Sequence, residues 1–278
     1  MLLLKLLFQA GTFIFLLCFE NNLISKRYAV ALRAPALLRL QNDDAYRQSV
    51  LQSSAQLIQK PWQTDALPKG GSREFNFLRS FWNIFQECVQ SCQALDLIRD
   101  LAFQSMNSVE PEQHTAVLTF WIESYLNEVY IVQCRLLEFI KFIQRRYKKD
   151  ADFTQFVNVV GDSLATFVCE QLGSITSDRG IHVHERRHRR ADPAIVKLNA
   201  LDTIIGVLGH NALISERNNA RRDANSWLLK QVQYFSDLSW HLFDDVCRGF
   251  SDGILLEIDR IIVPMHLKDD PKFSKDSQ

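Results

Sequence analysis

With 278 residues, 47% of them hydrophobic, the chain can bury a sizeable core and is not a disordered polymer. Its 32 Lys and Arg are matched by 32 Asp and Glu, so no basic field draws nucleic acid in from a distance and any such contact must be local. Ten glycines and seven prolines are too few for the regular turns of a sandwich or a doubly wound sheet, which leaves an all-α fold as the expectation.

Residues 2–19, LLLKLLFQAGTFIFLLCF, are apolar but broken by Lys5, Gln9, Gly11 and Thr12, and are expected as an N-terminal helix over 1–20. The run is marginal against the roughly 20 residues that span a bilayer. Three readings stay open: a helix packed on the body, a membrane anchor with Lys26, Arg27 and Arg33 on its cytoplasmic side, or a signal peptide cut near AVA at 29–31. The next segment, 21–71, is expected as an N-terminal helical segment and linker: Asn42 and Asp43 are caps for a helix over 42–60 that Pro61 stops, and the linker PWQTDALPKGGS follows.

Ser72 is placed to cap a helix in which Phe75, Leu78, Phe81, Trp82, Phe85, Val89, Leu95, Ile98 and Leu101 recur every three or four residues. Pro111 falls where a first-turn proline is tolerated, and 112–149 runs on without a breaker, predicting one very long central helix of a multi-helix bundle. Only Asn127, Glu128, Arg135, Glu138, Lys141 and Arg145 make a polar stripe on it, so other helices must cover the rest. A helix from about 152 to 171 follows, leaving through the glycine- and serine-bearing LGSITSDRG. Asp192 and Pro193 open a further helix, PAIVKLNALDTIIGVLG, and a polar-rich one leads from NNARRD to GILLEIDRII. The bundle is thus expected over 72–264, with a disordered tail over 265–278.

Six cysteines show no paired-spacing framework. Cys134, Cys169 and Cys247 sit inside apolar helical patterns, and Cys88 and Cys92 share a helix face without a second ligand pair, so all five are read as core thiols. A reducing, cytoplasmic location is expected, with membrane anchoring through residues 2–19 as the alternative. His114, His210 and His241 are expected to be structural, and RNNARRD at 217–223 to form a solvated face with Glu216 and Asp223 in local ion pairs.

Functional chemistry concentrates in SDRGIHVHERRHRRAD, residues 177–192. Between positions 179 and 190 five arginines oppose one glutamate, a net of +4. A metal is not expected: His184 and His188 converge on a helix, His182 and His184 on an extended strand, and both cannot hold together, while the guanidiniums repel a cation. No cofactor motif is present. Acid–base chemistry on a phosphodiester fits better, because a histidine titrates near neutrality and an arginine stabilises charge developing on phosphate.

RGIHVH, with Arg179 and His184 flanking four residues in a helical setting, resembles the Arg-x(four to six)-His motif of the HEPN superfamily (higher eukaryotes and prokaryotes nucleotide-binding). The resemblance covers about 109–264 and includes the style of the long helix FWIESYLNEVYIVQCRLLEFI. It implies a HEPN-like fold and an RNA-binding protein or metal-independent endoribonuclease of a toxin or antiviral defence system, with an antitoxin protein as partner. Arg179 and His184 would be catalytic, paired across a homodimer, and His182, Arg186, Arg187, His188, Arg189 and Arg190 would bind RNA. Gly180 departs from the family pattern, in which a polar residue follows the arginine. The competing reading is a non-enzymatic helical interaction module whose basic segment binds an acidic partner or an anionic lipid.

Overall fold

The structure, a computed structural model, describes residues 23–48, 50, 72–110, 113–184, 193–256 and 260–268. Among the described residues it is all-α, apart from one short strand pair. The helices are α1 (Leu23–Asn42), α2 (Arg73–Ser108), α3 (His114–Tyr147), α4 (Ala151–His184), α5 (Pro193–Leu208) and α6 (Ile214–Ile254). Four of them exceed 30 residues, the long α3 expected over 112–149 among them. Two compact units result, one of Met1–Gln86, Glu138–Leu164 and Asp244–Gln278, the other of Glu87–Leu137 and Ala165–Phe243.

The first unit is built on aromatic packing. Tyr28, Phe77, Phe81, Phe85, Phe139 and Tyr147 are buried, and successive pairs meet at ring-centroid distances of 5.7 to 6.4 Å, in the range where tilted and edge-on rings attract. This core explains where α1, which falls in the helical segment expected over 21–71, packs. Tyr28, Ala29, Ala31 and Leu32 are its buried face, and Asp244 accepts a hydrogen bond from Ser25 N at 3.2 Å. AVA at 29–31 therefore lies inside α1, with both alanines buried. The caps form as expected: Phe75 N donates to Ser72 Oγ at 3.1 Å, and Tyr46 N to Asp43 Oδ1 at 2.8 Å. That backbone bond, aided by Arg39, holds the Asp43 carboxyl below its ordinary pKa. Most of the predicted helix over 42–60 and all of residues 1–22 lie outside the described residues.

The carboxy-terminal reading needs correction. α6 ends at Ile254, and GILLEIDRII is not helical throughout: Leu255–Leu256 (β1) pairs antiparallel with Arg260–Ile261 (β2) in the register Leu255 to Ile261 and Leu256 to Arg260. Burial there follows period two, with Ile261 and Val263 inside and Arg260 out, and Tyr147 Oη donates to Ile262 O at 2.7 Å. Order also extends into the expected tail, because Met265–Leu267 is a short 3-10 helix whose Met265 N donates to Asp150 Oδ2 at 2.9 Å.

In the second unit a stripe of Cys88, Cys92 and Leu95 on α2, Leu118, Val129 and Leu136 on α3, and Ala220, Ala224 and Leu228 on α6 is closed to solvent. Cys88 Sγ donates weakly to Arg135 O at 3.4 Å, and burial pushes the Cys92 thiol well up in pKa. Both are core thiols, as is Cys247, whereas Cys169 is exposed on α4. The neighbours of Cys169 read as apolar, yet its own helix position faces out. The α3 stripe behaves as predicted: Asn127, Glu138, Lys141 and Arg145 are exposed, and Arg135 pairs with Glu87 at 3.0 Å. Among the described residues no helix is long and apolar enough to cross a membrane.

Candidate functional site

The helix ending expected near residue 171 is not where α4 stops. Leu172 and Ile175 are buried, and Gly173 has open space around it. Burying a large aliphatic side chain contributes roughly 1.5 to 3 kcal/mol, against about 1 kcal/mol for a glycine in a helix, so packing carries the helix past Gly173. Arg179, His182 and His184 therefore stand in the last two turns of α4 rather than in a connector. Basic residues suit that end of a helix, where the dipole is negative. Arg186, Arg187, His188, Arg189 and Arg190 lie outside the described residues.

Helical geometry decides what this placement can do. At 100° per residue, positions 179 and 184 are about 140° apart around the axis, whereas 179 and 182 are about 60° apart. Within one copy the helix groups Arg179 with position 182, and it separates Arg179 from position 184.

A second cluster, which the sequence does not point to, is fully on view in the second unit. His114, the first residue of α3, is 1% exposed, and neither ring nitrogen makes a hydrogen bond. Burial first, and then the positive charge of Arg221, hold its pKa down to about 4, while Asn225 and Asp202 pull the other way. Asn225 lies beside the ring, yet its buried Oδ1 has no partner of acceptable geometry, so we regard the two as neighbours rather than as a bonded pair. Thr115 Oγ1 donates to Asp202 Oδ2, and Arg217 Nε, buried and without a hydrogen bond, faces Asp202 Oδ1 only at 3.9 Å.

RNNARRD is accordingly not one solvated face. Asn218, Asn219, Arg222 and Asp223 are exposed, and Glu216 pairs with Lys197 at 2.9 Å, but Arg217 and Arg221 turn partly inward beside the buried stripe of Ala220, Ala224 and Leu228. The signal was present as Arg217, Arg221 and Asn225 at intervals of four, one face of a helix. What the sequence could not supply was His114, more than a hundred residues away. The other two histidines are exposed, His210 between helices and His241 with Nδ1 2.6 Å from Asp237 O.

No group of three or more His, Cys, Asp or Glu among the described residues could hold a metal ion. Comparison with protein-family models, curated proteins and solved structures finds no match to this chain.

Proposed function

We propose that this chain is a HEPN-like RNA-binding protein whose basic run over 179–190 grips the phosphate backbone, and that it cuts RNA where two copies meet. The observation that carries the reading is that α4 continues as a helix to His184. One continuous helix holds positions 179 and 184 on different faces, so a clamp and a proton carrier drawn from them must come from two chains. The arginine of one copy then neutralises charge on the scissile phosphate while the histidine of the other moves a proton at the attacking or leaving oxygen. A composite dimer site of this kind is also what the resemblance implies.

The test is complementation in EDTA. Arg179→Ala and His184→Ala are each expected to abolish cleavage of RNA. Mixed after subunit exchange, they regenerate one intact composite site per heterodimer, so activity returns to about a quarter of wild type, half the dimers being mixed. No cleavage by the unaltered protein, or no recovery on mixing, defeats the composite site.

A second reading, a helical interaction module for an acidic partner, draws on the second unit's surface. Phe103 and Tyr234 are 58% and 57% exposed, beside open hollows to which Arg99, Arg222 and Lys230 contribute. It predicts full function with Arg179→Lys and His184→Gln, which a catalytic pair does not survive.

A further inference from the structure

We infer that the amino end of α3 is a binding site for a singly protonated phosphate group, formed by His114 with Arg217, Arg221 and Asn225 from α6. This goes beyond the RNA reading and does not depend on it, since none of these residues belongs to the 179–190 run.

The argument begins with unmet hydrogen bonds. His114 Nδ1 and Nε2, Arg217 Nε and Asn225 Oδ1 are all buried with no partner. A buried polar group left unpaired costs about 1 to 3 kcal/mol, and several gathered in one place imply that something else occupies the site. The four atoms share a neighbourhood: His114 feels Arg221, Asn225 and Asp202, and Asp202 in turn faces Arg217.

The chemistry of the occupant follows from what is offered. Arg217 Nε donates, the neutral imidazole offers one donor and one acceptor, and the Asn225 amide presents either sense after rotation about its last bond. An anion with several acceptor oxygens and one hydroxyl meets that set, its hydroxyl donating to the free imidazole nitrogen. Hydrogen phosphate and a protonated phosphomonoester have that pattern, and sulfate, lacking the hydroxyl, does not. Charge agrees in sign. Arg217 faces Asp202, which Thr115 already engages, the positive charge of Arg221 acts on His114, and the site lies at the positive end of a 34-residue helix. Asn225 also lines an open hollow of about 660 Å³, shared with Arg222, Ser226 and Lys230.

The experiment follows the His114 imidazole in the full chain by nitrogen-correlated NMR, its signals identified by their loss in His114→Gln. Inorganic phosphate, glycerol phosphate and sulfate are titrated at constant ionic strength. Phosphate is expected to shift the His114 signals saturably and to raise the imidazole pKa by about 1 or more, as an anion within a few ångström does. Sulfate should bind at least tenfold more weakly, and glycerol phosphate tells whether an ester is accepted. Arg217→Gln should weaken phosphate binding by about tenfold or more. Arg145→Gln, the same loss of charge at an exposed position of α3 away from the site, should change it less than about twofold, the usual scale for a surface charge. If His114 ignores phosphate in the unaltered protein, or sulfate binds equally well, or the two variants weaken binding alike, the site is filled by water only and the inference falls. The first two results are read on the unaltered protein and need a variant only to identify the His114 signals.

Discussion

Acidification should destabilise this protein through His114 in particular. The folded imidazole has a pKa of about 4 against an ordinary 6.5, because it is 1% exposed and lies near Arg221. Between those two values the unfolded chain takes up a proton that the folded chain does not, so stability falls as pH falls. The contribution is complete above pH 6.5 and lost by about pH 4, and at 1.36 kcal/mol per pH unit it amounts to about 3 kcal/mol. About 2 kcal/mol of this should be gone by pH 5. Urea unfolding at pH 7 and pH 5, in phosphate-free buffer, compares the unaltered protein with His114→Gln, whose neutral amide cannot titrate. Glu128, raised in pKa by burial, contributes in the opposite sense in both proteins and cancels in the difference. The unaltered protein should lose about 2 kcal/mol more than the variant between the two pH values. Equal losses would refute the reasoning, because they would mean that His114 titrates alike in both states.

Two further perturbations probe the packing. Asp96 accepts hydrogen bonds from the buried Ser236 hydroxyl and, at 3.0 Å, from Trp240 Nε1, with Arg99 at 3.5 Å, so Asp96→Ala should cost about 2 to 3 kcal/mol in urea unfolding; a loss below about 0.5 kcal/mol would show the network to be idle. Two glycine-to-alanine changes should differ in sign by calorimetry. Gly173→Ala, in open space on α4, should gain up to about 1 kcal/mol, whereas in Gly253→Ala the new methyl overlaps the Phe156 ring and should cost about 1 to 3 kcal/mol. A common sign would contradict the packing described for α4 and α6.

The candidate site was legible in part. Composition and spacing drew attention to Arg179 and His184, but their relation changes when α4 is followed to its end, since the glycine that reads as an exit at 173 is overruled by burial of Leu172 and Ile175. The polar cluster was hidden for a different reason. His114 and Arg217 each look ordinary in their own windows, and only folding brings α3, α5 and α6 together around Asp202.

By itself the sequence determined what is local. The helical class, the caps at Ser72 and Asp43, the start of α5 at Pro193 and the polar stripe of α3 all follow from hydrogen bonds and periodicities that reach no more than one or two turns. Only the tertiary structure decided that α1 packs through Tyr28, that the chain after Ile254 turns into a strand pair, that Cys169 faces out, and that an imidazole is buried under the influence of Arg221. The physical reason is one of magnitude: burial summed over distant partners outweighs a propensity of about 1 kcal/mol at any single residue.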